Sequence, residues 1–163
     1  MTRIGLIADT HGFLDDAVFE HFKDCDEVWH AGDFGSDVIT PLQQFKPLKG
    51  VYGNIDSAAI RPDFPEQLVF MCEGVKVMMR HIGGYPPKYN TETKKEILLH
   101  QPQLFISGHS HILKIMYDDK LQCLHMNPGA AGKQGWHKVR TLIRFDIDGK
   151  EMKNCEVIEL GKK

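Results

Sequence analysis

Seven side chains able to ligate a metal recur where apolar runs of this chain give out: Asp9, His11, Asp33, Asn54, His81, His109 and His111. The densest of these places is Ile106-Ser107-Gly108-His109-Ser110-His111. Residues i and i+2 of a strand point to one face, and just past a strand end they can still converge on one point. Two neutral imidazoles aimed at one spot are half a metal site. Seven ligands are too many for a single open catalytic ion, whereas two ions sharing a carboxylate would use them well. Nitrogen and oxygen ligands without thiolate suit manganese foremost, with nickel, iron, cobalt or zinc as alternatives, better than calcium or copper(I). Two such ions about 3.5–4 Å apart can clamp the oxygens of an in-line phosphoryl displacement.

The elements that must position these residues follow from apolar patterning. Ile4–Ala8 is a nearly continuous apolar run, as expected of a strand buried on both faces, and it delivers Asp9 and His11. Asp15-Asp16 offers a cap and first-turn acids for a helix to about Lys23, with Leu14, Val18 and Phe22 on its inner face. Glu27–His30 is a second strand, ending at Asp33. A helix from Ser36 turns Val38, Leu42 and Phe45 inward and tolerates Pro41 near its first turn. Leu48–Tyr52 is a third strand, ending in Gly53-Asn54-Ile55-Asp56. Gln67–Cys72 and Val75–Met79 form a hairpin around Glu73-Gly74 and lead to His81. The spacing predicts a helix over Thr91–His100, started by Thr93 and Glu96, then a strand over Leu104–Ser107. The last third is strand-like throughout, over Leu113–Tyr117, Leu121–Met126, Val139–Ile147 and Met152–Leu160, with Asp118-Asp119 and Asp148-Gly149 as turns. Strand-helix alternation giving way to hairpins implies an α/β fold of two mixed sheets with flanking helices.

The chain has 163 residues, 42% hydrophobic and 26% charged, enough for one domain over 1–163 with a proper core. A net charge of -2 carries no basic footprint, so long nucleic acid is not an expected partner. None of the four cysteines lies in a C-x-x-C pair, and they read as reduced thiols. No apolar stretch approaches a membrane span and none resembles a leader, so no membrane contact and a cytoplasmic location are expected.

The order Asp9-Thr10-His11, Gly32-Asp33, Gly53-Asn54, His81 and Gly108-His109-Ser110-His111 resembles the calcineurin-like metallophosphoesterases, whose pattern is D-x-H, G-D, G-N-H-[DE], H and G-H-x-H. The resemblance covers Ile4 to about Gly129 and is nearest to the small bacterial and archaeal phosphodiesterase branch. It implies a two-sheet αββα sandwich. It also implies a hydrolase of phosphate esters, most simply diesters, with a hydroxide bridging two divalent metal ions as nucleophile. One metal would take Asp9, His11 and His111, the other Asn54, His81 and His109, with Asp33 between them. Asn54 and Asp33 would also act in catalysis, Asn54 beside the phosphoryl group. Where many members carry the histidine that assists the leaving group, this chain has Ile55, which can neither donate a proton nor carry charge. General acid help is worth roughly 10²–10⁴-fold in rate. Asp56 is expected to orient a ligand or cap the loop.

The remaining histidines divide. His30 is a candidate supporting residue beside Gly32-Asp33, or a packed strand residue. His125 or His137 could stand in as a proton donor, and Gly132–His137 is a donor-rich loop that could meet substrate or a neighbouring subunit. Gly83-Gly84 could bring amides to a phosphate or be plain loop, Tyr85-Pro86-Pro87 could wall the cleft, and Lys162-Lys163 reads as a solvated tail. The expected partner is a small phosphate ester, with a homodimer or homotetramer left open. The competing function is a non-catalytic interaction scaffold on the same fold, like the small retromer subunit. Against it stand competent ligands at all seven positions.

Overall fold

The computed structural model describes residues 1–163. In chain order the elements are β1 (Thr2–Ile7), α1 (Ala17–His21), β2 (Glu27–His30), α2 (Ile39–Phe45), β3 (Leu48–Gly50), β4 (Gln67–Cys72) and β5 (Val75–Arg80). They continue with β6 (Gly84–Tyr85), β7 (Lys88–Tyr89), α3 (Thr91–His100), β8 (Leu104–Ile106), β9 (Lys114–Asp118), β10 (Cys123–Asn127), β11 (Val139–Asp148) and β12 (Glu151–Lys162). One sheet has the order β12-β11-β1-β2-β3 and the other β4-β5-β8-β10-β9, while β6 and β7 pair by themselves. β1, β2 and β3 run parallel, as do β5, β8 and β10, and antiparallel strands complete both sheets. The expected sandwich of two mixed sheets is the fold.

Alternation along the strands builds the layers. On β1, Ile4 and Leu6 face the other sheet, where they join Trp29, Val77, Met79, Leu104, Ile106, Ile143 and Phe145 in the largest apolar cluster. Ile7 faces the opposite way, into a second cluster with Val18 and Phe22 near α1 and with Val38 and Leu42 near α2. β1 therefore reads as an unbroken apolar run because both of its faces are covered. α3 covers the outer face of the second sheet through Ile97, against Met78, Phe105 and Cys123. Trp29 joins the sheets, its ring meeting Phe70 edge-on at 5.0 Å and Phe145 at 5.8 Å.

Boundaries differ from the sequence reading where local signals compete with packing. α1 stops at His21 and α2 begins only at Ile39. β3 ends at Gly50, and Tyr52 already belongs to the loop, where its amide pairs with the Pro65 carbonyl. α3 is started by Asn90, whose side chain accepts from the Thr93 amide at 2.8 Å, rather than by Thr93 and Glu96. Lys162 and Lys163 are not a free tail: β12 runs to Lys162, and the Lys163 amide bonds to the Lys138 carbonyl. The three buried cysteines and the exposed Cys155 are all free thiols.

Because Asn90 is the side-chain cap of the helix that seals the second sheet, Asn90→Ala should lower unfolding free energy by about 1 kcal/mol in urea titrations. An unchanged midpoint and slope would show that the cap contributes nothing.

Candidate metal centre

The parallel strands set the geometry. β1, β2 and β3 present their carboxyl ends on one edge of the first sheet, and β5 and β8 do so in the second. All seven candidate ligands follow these five ends. The donor atoms of Asp9, His11 and His111 lie within 4.8 Å of one another, and so do those of Asp33, His81 and His109. Asn54 Oδ1 sits 3.0 Å from both His81 Nε2 and His109 Nδ1, so it belongs with the second group. Asp33 Oδ2 lies 3.4 Å from His11 Nε2 and 3.2 Å from His81 Nε2, one oxygen facing both groups. The side chains thus gather as two adjoining groups, with Asp9 Oδ1 also 3.7 Å from His81 Nε2.

The backbone pays a conformational cost to bring them there. Asp9, His11, Asp33, His109 and His111 all have positive φ, between 45° and 72°. Each such left-handed residue costs roughly 1–2 kcal/mol where no glycine relieves it. The same torsion at five neighbouring loop positions turns five side chains toward one volume. Glycines make the close approaches: a Cβ on Gly53 would fall 2.0 Å from Asp33 Oδ1, and one on Gly32, at φ +104°, would fall 2.5 Å from His81 Nδ1.

A surrounding layer of hydrogen bonds aims the ligand atoms. The Ala31 carbonyl can only accept, so His81 Nδ1, 2.7 Å away, carries the proton and leaves the Nε2 lone pair for the site. Asp33 Oδ1 accepts from the Ile55 amide at 3.0 Å and Asp9 Oδ2 from the His109 amide at 3.0 Å, leaving the other oxygen of each free to face the imidazoles. Asp56 clamps two loops, with Oδ2 accepting from the amides of Gly53 (2.9 Å) and Phe34 (3.2 Å) and Oδ1 from that of Gly35 (3.1 Å). His30 is both packed and supporting. It is fully buried, stacks on Phe34 at 3.8 Å, accepts from the Gly32 amide at Nδ1 and so donates from Nε2 to the Thr10 hydroxyl at 3.0 Å. Asn127, the last residue of β10, is a further supporting residue. Its Nδ2 donates to the Gly108 carbonyl and to Ser110 Oγ, each at 3.1 Å, which fixes the loop carrying His109 and His111.

The electrostatics favour positive charge. Burial opposes ionisation of Asp9, yet the His11, His111 and His81 imidazoles facing it outweigh burial and hold the carboxyl below its usual range. Burial likewise opposes ionisation of Asp33, and hydrogen bonding and charge from His81 outweigh it. The neighbouring Asp9 carboxylate raises His11 above its ordinary value against burial; His81 is raised by Asp33 and Asp9 against the larger opposing effect of burial. Asp9 Oδ1 and His11 Nε2 are buried without a hydrogen-bond partner. An unpaired buried polar atom costs about 1–3 kcal/mol, and more when charged. A divalent cation would satisfy both atoms, so the residues present fit a metal.

The profile of the calcineurin-like phosphoesterase superfamily domain matches residues 2–150. The chain belongs to the calcineurin-like phosphoesterase superfamily. It is 29% identical over 167 residues to a probable metallophosphoesterase of Methanothermobacter thermautotrophicus, covering 97% of this chain and 92% of that one. A solved structure of an archaeal phosphodiesterase superposes with a TM-score of 0.76 at 23% identity, covering 97% of this chain and 99% of the other. Vps29 of Entamoeba histolytica, solved in complex with zinc, superposes with a TM-score of 0.74 at 16% identity over 96% and 98% of the two chains. At these identities the two structures speak for the fold alone.

Ile55 is 49% exposed and lines a cleft with Ile39, Pro41 and Ile60, so no proton donor stands at that position. His137 sits with its ring 5.1 Å from that of His111, donates from Nε2 to the Gly132 carbonyl and leaves Nδ1 unpartnered. Its loop is tied to the site by the Gly132 amide on the Asp9 carbonyl. His125 lies apart, packed on Phe105 behind the His109–His111 loop. Gly83 is loop, its carbonyl accepting from the Asn90 amide, and Gly84 opens β6, where it pairs with Tyr89 of β7. Tyr85 walls a small cavity beside Ser110.

Burial pushes His125 down to about 4 and His30 down to about 3, so both are neutral in the folded protein. In the unfolded chain each would titrate near 6.5. Below that value the unfolded state binds more protons, so stability falls as pH drops from about 6.5 toward 4. His125→Phe should flatten this acid loss relative to the parent when urea midpoints are compared at pH 7 and pH 4.5. An identical acid slope would show that His125 is not a source of it.

Proposed function

We propose that this chain is a phosphoesterase that uses two divalent metal ions, with phosphodiesters as its substrates. The observation that carries the reading is the single Asp33 oxygen facing both ligand groups. Asp9, His11 and His111 would hold one ion, and Asn54, His81 and His109 the other, with Asp33 shared. When bound, the two ions would acidify water and offset charge on the phosphoryl group. Manganese suits this donor set first. The chain's own part is positional: Asp56, His30 and Asn127 keep the loops aimed, and Asn54 presents its amide nitrogen to the phosphoryl oxygens. A cleft of ≈320 Å³, lined in part by Tyr52, Asn54, Glu66, Arg80, His81 and Glu92, adjoins the second group and could seat the ester's alcohol portion. Its polar lining suits a small hydrophilic substrate. A cytoplasmic location accords with such a substrate, and no helix is long and apolar enough to cross a membrane.

The second reading is a non-catalytic interaction scaffold built on the fold that this chain shares with Vps29. The intact ligand set favours catalysis, because strain at five positions and two unpartnered buried atoms serve no scaffold function.

With Mn²⁺ added, the purified protein should hydrolyse an activated aryl phosphodiester. Absence of turnover with each of Mn²⁺, Ni²⁺, Co²⁺ and Zn²⁺ would refute the enzyme and leave the scaffold. Elemental analysis of Asp33→Ala should show loss of both metal ions; retention of full content would disprove the shared carboxylate. Ile55→His should raise the rate on esters with poor leaving groups by at least about tenfold, part of the roughly 10²–10⁴-fold that general acid help supplies. Equal rates would indicate that a donor already operates elsewhere.

A further inference from the structure

Behind the Gly108–His111 loop lies a cavity of ≈70 Å³, distinct from the cleft beside Asn54 and lined by Tyr85, Ser110, Ile112, Lys114, His125 and Asn127. Three of its polar side chains, Ser110, Lys114 and His125, carry hydrogens with no acceptor in the protein. Ser110 Oγ already accepts from Asn127 Nδ2 at 3.1 Å and from the Ile112 amide at 3.2 Å, so its own proton is free to be donated. Lys114 makes no ion pair or hydrogen bond, and its ammonium rests 3.7 Å above the centre of the Tyr85 ring. His125 is 1% exposed, and neither ring nitrogen has a partner, although a neutral imidazole always carries one N–H. Asn127 is saturated, with Oδ1 accepting from the Gly129 amide and Nδ2 spent on the loop. No carboxylate lines the space.

A buried imidazole with no partner is costly, by about 1–3 kcal/mol for an unmet group, and evolution would more simply place an apolar ring against Phe105. Ser110 is exposed and Lys114 half-buried, so solvent reaches those two in the free protein, while the fully enclosed His125 ring is left unmet. A group bearing several acceptor oxygens and negative charge meets all three. From these unmet donors we infer that this cavity is an oxyanion subsite, in which Lys114, Ser110 and His125 bind a phosphate-like or carboxylate group. Ser110 lies between His109 and His111, so the subsite borders the metal centre. The inference rests on the proposed phosphoesterase reading in one respect: the anion would be a second charged group of the substrate, or free phosphate.

The probe is sulfate, which is not hydrolysed. Titrated into metal-free, isotope-labelled protein, it should shift the Lys114 amide and the His125 ring resonances in a saturable manner. Lys114→Met should weaken that binding at least tenfold, and Lys114→Arg should retain most of it. Resonances at Lys114 and His125 that stay still, or equal affinity in Lys114→Met, would overturn the subsite. This arm stands whether or not the protein turns over any ester. A kinetic arm then separates the two sources. If the anion is part of the substrate, Lys114→Met should lower kcat/KM for a diester carrying a second phosphoryl or carboxylate group at least tenfold more than for a singly charged one. If the source is free phosphate, the variant should slow both diesters equally and lose inhibition by inorganic phosphate. A variant that changes neither the preference nor the inhibition would overturn the role of the site even where sulfate binds.

Discussion

Two buried carboxylates set the conditions for everything around them. Asp9 and Asp33 lie at the ends of neighbouring parallel strands, within 3.8 Å of three imidazole nitrogens, and away from water. Burying a carboxylate is expensive unless charge and hydrogen bonds compensate it. Backbone amides from Ile55 and His109 take one oxygen of each. The other oxygens remain directed at imidazoles that have little else to bond. That arrangement is stable only with positive charge between them, whether protons on the histidines or metal ions, and metal ions meet the unpartnered Asp9 and His11 atoms as well.

The rest of the structure can be understood as the means of keeping this arrangement in place. The inter-sheet apolar cluster fixes β1, β2, β5 and β8, so their ends do not drift relative to one another. Asp56, His30 and Asn127 then tie the loops to each other and not merely to their own strands. His30 can do this because burial keeps it neutral, with one nitrogen accepting and the other donating. A protonated ring could not accept from the Gly32 amide. The left-handed torsions at five ligand positions persist because these ties over-determine them.

The gathering of the candidate ligands also gives ordinary-looking loop residues a role. Asn127-Pro128-Gly129 has the composition of a turn, and its asparagine does bond the Gly129 amide as a turn residue would. Its other end holds the Gly108–Ser110 backbone and leaves the Ser110 proton free toward the cavity shared with Lys114 and His125. One side chain thereby links a ligand-bearing loop to a second group of unmet donors.

Much of this was legible in the order of residues. Apolar runs of four to six residues ending in Asp, His or Asn placed the strands and their terminal ligands, because a strand buried on both faces has no other pattern open to it. The α3 span of Thr91–His100 and the hairpin around Glu73-Gly74 were readable from the same periodicities. Short helices were less so: α1 and α2 hold five and seven residues, too few to carry a period, and their ends are set by packing on Ile7, Val28 and Phe34. Asn90 was overlooked as a cap because Thr93 and Glu96 offered a competing local pattern. Sequence alone thus determined the inventory of candidate ligands, its order and the strands that deliver it, since those are local properties of the chain. Only the tertiary structure decided which oxygen of Asp33 faces both groups, that His30 bridges two loops, and that Ser110, Lys114 and His125 share one space. Those facts depend on contacts between residues far apart along the chain, which no local pattern encodes.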